Sequence, residues 1–213
     1  MGLVVPPPAR GEQSEPRRRP GRIGMKTNIR EGLALAIAAS MLVGSLYLSV
    51  GLGLKACPLC LYERTFVMGV VGVLGVGLVA RPPVRAGALG LLALPLAVAG
   101  LGLAAFHVYL DRSGVLDCPP GVLGLGHAPD QSLAGYLVLT GVLAIGALSE
   151  RSEAARRPWA GGVTAALLGA ALAFASVKSA PPLPPPSPTF GPSGERILSG
   201  CEPAPPPDYR PGR

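Results

Sequence analysis

The chain has 213 residues, a net charge of +7 and only 15% charged residues, against about 25% in soluble domains. Long uncharged apolar stretches alternate with short basic clusters, and mean hydropathy is +0.44, a pattern that excludes an ordinary soluble globule and reads as segments placed in hydrocarbon. The basic residues form no stripe interleaved with aromatics, so the pI of 9.7 is assigned to loops meeting lipid headgroups and no nucleic acid partner is expected.

Residues 1–30 carry Arg10, Arg17, Arg18, Arg19, Arg22, Lys26 and Arg30. The first 24 are rich in Pro, Arg and Gly and are expected to be disordered, with Met25 a second candidate start. A helix crosses the bilayer core with about 20 apolar residues, and four stretches fit: Gly32 to Leu54, Ala86 to Leu110, Ser132 to Ser149 and Trp159 to Val177. Thr65 to Ala80 is shorter, and Arg64 and Arg81 are expected to snorkel and extend it. A cleaved signal peptide is disfavoured, because its apolar region runs about 7 to 15 residues and the first span here is longer. The expected fold is an all-α membrane protein, a four-helix transmembrane bundle (residues 31–149) plus a fifth transmembrane helix (150–178) and a proline-rich tail (179–213).

Orientation follows from the basic loops. The N-terminal cluster, Arg81 with Arg85, and Arg151, Arg156 and Arg157 share one side if there are five crossings, which makes that side cytoplasmic. Cys57, Cys60, Cys118 and Cys201 then all lie on the opposite side, in an oxidising compartment where disulfides persist. Ala180 to Pro192 is expected to be extended polyproline II, spanning about 40 Å, enough to bring Cys201 back over the other loops.

Chemistry concentrates at Cys57-Pro58-Leu59-Cys60. A C-x-x-C pair closes a small disulfide and often holds one thiolate at depressed pKa. With the second helix starting near Leu61, Cys60 sits at its N-terminus, where the helix dipole favours a thiolate. Arg64 at i+4 is a permanent cation on the same face. Two other readings stand beside this one: a turn staple with Glu63 and Arg64 marking the water interface, and half of a zinc site completed from His107, Cys118 and His127.

His107 lies near the outer end of the third helix, one turn before Asp111. There it is either a polar anchor or a donor to an acceptor's carbonyl at the depth of Arg64. His127, in the Gly-rich loop Gly121 to Pro129, has no such counterpart and is read as solvated loop. Cys118 and Cys201 are expected to pair, either as a structural staple for the tail or as a flexible shuttle that meets a soluble partner and then the first pair.

The run Cys57-Pro58-Leu59-Cys60-Leu61-Tyr62-Glu63-Arg64 after the first helix resembles the C-x-L-C-x-x-x-R signature of the disulfide bond formation protein B (DsbB) family. These are quinone-linked membrane oxidases that re-oxidise a thioredoxin-fold thiol oxidase. His107 falls where that family has a quinone-proximal histidine, and the resemblance covers roughly Gly32 to Ser149. It implies that Cys60 faces the quinone, that Cys57 exchanges with the second pair, and that Arg64 stabilises the reduced quinone or thiolate. It also implies that Cys118 meets a DsbA-like partner, with ubiquinone or menaquinone as cofactor. Cys201 departs from the family, whose matching cysteine precedes the fourth helix; here it follows a fifth, and its role rests on topology and reach. The short loop from Pro119 to Gln131 leaves little room for the membrane-surface helix of some members.

The resulting expectation is a thiol:quinone oxidoreductase of the cytoplasmic (inner) membrane. Its N-terminus is cytoplasmic, and Cys57, Cys60, Cys118 and Cys201 are its redox residues. The rivals are a vitamin K epoxide reductase-like oxidase, whose C-x-x-C usually comes late in the chain, and a non-enzymatic metal-binding or scaffold protein with a structural disulfide.

Overall fold

A computed structural model describes residues 23–80, 88–149, 158–182, 198 and 200–204. Five helices are long and apolar enough to cross a membrane: α1 (Ile23–Leu46), α2 (Pro58–Ala80), α3 (Ala88–Arg112), α4 (Ala128–Ser149) and α5 (Pro158–Ser179). Val76, Val79, Leu92, Leu167 and Phe174 point outward and are well exposed. That is unfavourable in water and ordinary against lipid. The expected disorder of residues 1–24 lies almost wholly outside the described residues, as does most of the polyproline segment.

α3 is the hub. It packs against α2, α4 and α5, while α1 closes the bundle against α2 and α4. Lipid tails remove the hydrophobic drive between helices, so close van der Waals contact through small residues takes its place. The core shows this: Ala34, Ala38, Ala93, Ala97 and Ala104 are fully buried beside Val70, Leu74 and Leu139. α5 approaches α3 so closely that a Cβ on Gly169 would lie 2.7 Å from the Pro95 carbonyl and 2.7 Å from Val98.

Helix starts differ from the sequence expectation, and proline explains why. Pro58 and Pro158 open α2 and α5, and Pro129 lies in the first turn of α4. A proline at the first helical position wastes no hydrogen bond and already holds the helical φ. α2 therefore begins seven residues before Thr65, and α4 begins four before Ser132. α1 runs into a single π turn, Tyr47–Gly51, and the chain then breaks at Gly53, whose φ of 69° favours glycine.

The loops at the cysteine end are tied together. β1 (Leu116–Asp117) and β2 (Glu202–Pro203) form a short antiparallel pair, Leu116 opposite Pro203 and Asp117 opposite Glu202. Lys55 and Gly200 bridge in parallel, and Ala204 N–H donates to the Val115 carbonyl at 3.1 Å. Residues 200–204 are thus laced to the loops after α1 and α3.

Candidate active site

The site is built outward from the start of α2. Cys57 precedes the helix as its N-cap: its carbonyl accepts the Leu61 N–H at 3.1 Å, and its sulfur accepts the Cys60 N–H at 3.2 Å. This is the arrangement an N-cap Ser or Asp makes with the third helical residue, with sulfur in place of oxygen. The helix-terminal preference for an anion therefore falls on Cys57, not on Cys60 as the sequence suggested, because α2 starts at Pro58 instead of near Leu61.

Cys57 and Cys60 are both free thiols, their sulfurs 3.0 Å apart. The Cys57 thiol is lowered to about 5, first by the hydrogen bond with the Cys60 side chain, against the opposing effect of burial, and further by His107 and the Cys60 N–H. In the reduced pair the thiolate is therefore favoured at Cys57, with Cys60 as the thiol.

His107 on α3 is sealed, 1% exposed, and is no interfacial anchor. Its Nδ1 lies 2.9 Å from Oε1 of Glu63. Its Nε2 lies 3.8 Å from the Cys57 sulfur and 3.5 Å from the Cys118 sulfur. Glu63 is equally enclosed. Its second oxygen accepts the Ser132 hydroxyl at 2.5 Å, and its backbone carbonyl accepts the Tyr136 hydroxyl at 2.5 Å. Sequence reasoning gave Glu63 a place at the water interface and missed this role. The available signal was two ionisable residues, Glu63 and His107, inside separate membrane-length helices, which are costly there unless paired.

Arg64 does not snorkel. Its guanidinium turns toward α1, donating to the Ser45 hydroxyl at 3.1 Å, the Ser45 carbonyl at 3.0 Å and the Ser49 hydroxyl at 2.5 Å. The serines sit at the end of α1 and on the π turn, so that distortion supplies Arg64 with acceptors. Because Arg64 stays inside, α2 gains its spanning length from its early start at Pro58 instead.

Cys118 and Cys201 form a disulfide, the pairing the cysteine count favoured. It is buried, Cys118 4% and Cys201 5% exposed, where β1 pairs with β2 and Lys55 bridges Gly200. The ligating atoms of Cys57, Cys60, His107 and Cys201 all lie within 4.8 Å of one another. Of the zinc set weighed from sequence, Cys57, Cys60 and His107 come together, whereas Cys118 is held in the disulfide and His127 contacts Asp111. His127 is a solvated loop residue, its side chain 56% exposed, with Nδ1 2.7 Å from Asp111.

Beneath the sulfurs lies a cavity of about 370 Å³, lined among others by Cys60, Glu63, Arg64, His107, Met41 and Tyr136. That volume is in the range of small-molecule sites, roughly 300 to 1,000 Å³, and the lining combines apolar walls with a few convergent polar groups. Cys60 lines this space, and the Cys201 sulfur of the outer disulfide lies within 4.8 Å of the sulfurs of both Cys57 and Cys60. The arrangement is a compact cluster of sulfurs around an imidazole, bordering a pocket.

Comparison with family models matches residues 30–152 to disulfide bond formation protein DsbB. Comparisons with curated proteins and with solved structures return no match.

Proposed function

This chain belongs to the disulfide bond formation protein DsbB family, whose general activity is membrane disulfide oxidation, and we propose that it works as a thiol:quinone oxidoreductase. A reduced thioredoxin-fold, DsbA-like thiol oxidase delivers its electrons to Cys118–Cys201. The resulting dithiol reduces Cys57–Cys60 by successive thiolate attacks. The acceptor is a membrane quinone, ubiquinone or menaquinone. In this reading the cysteines face the extracytoplasmic side of the cytoplasmic (inner) membrane and the N-terminus is cytoplasmic.

The observation that carries the reading is the continuity from the buried Cys118–Cys201 disulfide, through Cys57 and Cys60, to a cavity lined by Cys60, Arg64 and His107. The cavity suits a quinone head: it is large enough for a substituted ring, and Met41, Val67 and Leu48 give it apolar walls. Arg64 and His107 would hold the ring, and when bound the quinone supplies the two-electron acceptor. Cys60 presents the inner-pair sulfur to the cavity, and Cys57, held as the N-cap thiolate, is the sulfur that meets the outer pair. Arg64, fixed by Ser45 and Ser49, gives a positive charge that cannot be lost. Glu63 fixes the face that His107 presents.

The test is a Cys60→Ser variant in native membranes, assayed for quinone reduction driven by reduced partner. Loss of reduction is expected. Turnover equal to that of the parent overturns the assignment.

A further inference from the structure

His107 touches both redox pairs. Its Nε2 is 3.5 Å from Cys118 and 3.8 Å from Cys57, and the Cys57 and Cys201 sulfurs lie within 4.8 Å of each other. Its Nδ1 is committed to Glu63 at 2.9 Å. A carboxylate that accepts from Nδ1 fixes the tautomer with a bare Nε2 and stabilises the ring when Nε2 gains a proton. The group is buried, His107 1% and Glu63 7% exposed, with the cavity as its open side. A proton released by a thiol in this enclosure needs a local acceptor.

We propose that His107, positioned by Glu63, carries the proton in the exchange between the two cysteine pairs, its Nε2 deprotonating Cys118 as that sulfur displaces Cys57 from a Cys57–Cys201 mixed disulfide. The step rests on the disulfide-exchange reading above and balances. The Cys118–Cys201 bond forms and the Cys57–Cys201 bond breaks. Cys118 is oxidised and Cys57 is reduced, the electron pair of the broken bond leaving on the Cys57 sulfur. The Cys118 proton goes to Nε2, so the products are a Cys57 thiolate and an imidazolium side by side. The structure has this product bonding, with Cys118–Cys201 closed, Cys57 free and the imidazole next to both sulfurs. His107 acts on the reacting atoms and is a catalytic residue; Glu63 is a positioning residue.

The test uses the full chain in detergent, stripped of quinone and oxidised in both pairs, then given one equivalent of dithiothreitol. Samples are quenched in acid and their disulfides mapped. In His107→Gln the Cys57–Cys201 species should persist roughly tenfold longer or more. Its decay should quicken with every rise in pH, because Cys118 must then ionise unaided, whereas the parent should change much less between about pH 6 and 8. Glu63→Gln should show a milder slowing and a shifted pH profile. Added imidazole should restore speed to His107→Ala, which a merely structural role would not allow. Equal lifetimes and pH profiles in His107→Gln and parent overturn the proposal, as does a slow His107→Ala that imidazole leaves unchanged. Because no quinone is present, failure here leaves the Cys60→Ser quinone assay standing, and failure of that assay leaves this exchange measurable.

Discussion

The Cys57 sulfur accepts the Cys60 backbone N–H at 3.2 Å, so the inner-pair sulfur whose pKa is lowered is also the cap of its own helix. This coupling makes ionisation of Cys57 a folding term. With its pKa lowered to about 5 from about 8.5 in an unfolded chain, the stabilisation is fully present above the unfolded value. It declines as pH falls and is gone once pH drops through about 5. Alkylation of the reduced inner pair by iodoacetamide, followed by peptide mass spectrometry, should label Cys57 with a midpoint near the same pH. A midpoint at ordinary thiol values would remove the cap argument.

Substitutions at Cys57 should separate capping from chemistry. Cys57→Ser keeps an acceptor for the Cys60 N–H and should retain near-parent thermal stability while losing disulfide exchange. Cys57→Ala loses both, and should cost about 1 kcal/mol more than the serine variant. Melting curves in detergent, paired with the exchange assay, provide the comparison; equal stability of the two variants would contradict it.

Arg64 offers a second separation. Its fork is matched by three acceptors on Ser45 and Ser49, a geometry that an ammonium cannot reproduce. Arg64→Lys should therefore raise the apparent KM for quinone by roughly tenfold, equivalent to about 1.4 kcal/mol, with a smaller effect on kcat. Steady-state titration with a soluble quinone analogue decides it, and an unchanged KM counts against Arg64 as a ring-holding residue.

Packing of the fifth helix should control the outer disulfide. Gly169 allows α5 to lie against Pro95 and Val98, and α5 leads into the tail that bears Cys201. Gly169→Leu should lower stability by about 1 to 3 kcal/mol through overpacking. It should also reduce the fraction of Cys118 joined to Cys201 on non-reducing peptide maps. A destabilised variant with complete pairing would show that the tail docks independently of α5.

The five spans were legible because hydropathy and length are properties of the residues alone. The Cys118–Cys201 pairing was also within reach, through cysteine count and the length of the tail. Helix starts were read too late, near Leu61 and at Ser132, because Pro58 and Pro129 were passed over as openers. The Glu63 and His107 pair was hidden for a different reason. It depends on the rotation of α2 against α3, which spacing within either helix does not determine. The burial of the outer pair was less visible still, since β1 and β2 are two residues each, far apart in sequence, and β2 contains Pro203, a poor strand former in isolation. His127 found Asp111 through the fold of a Gly-rich loop that carries no periodic signal.

Under the proposed function, the lacing of Glu202 and Pro203 onto Leu116 and Asp117 would give encounter with a thiol partner two stages. A protein thiol cannot collide with a sulfur that is 4 or 5% exposed, so the segment carrying Cys201 must first come loose. That release is unimolecular, whereas docking is bimolecular. Raising the partner concentration should therefore speed oxidation only until the rate reaches a ceiling set by the chain's own loosening. Gly200→Val, which would drive a side chain into the Lys55 carbonyl, should raise that ceiling. The same seal slows, without preventing, attack by small external thiols on the disulfide between encounters.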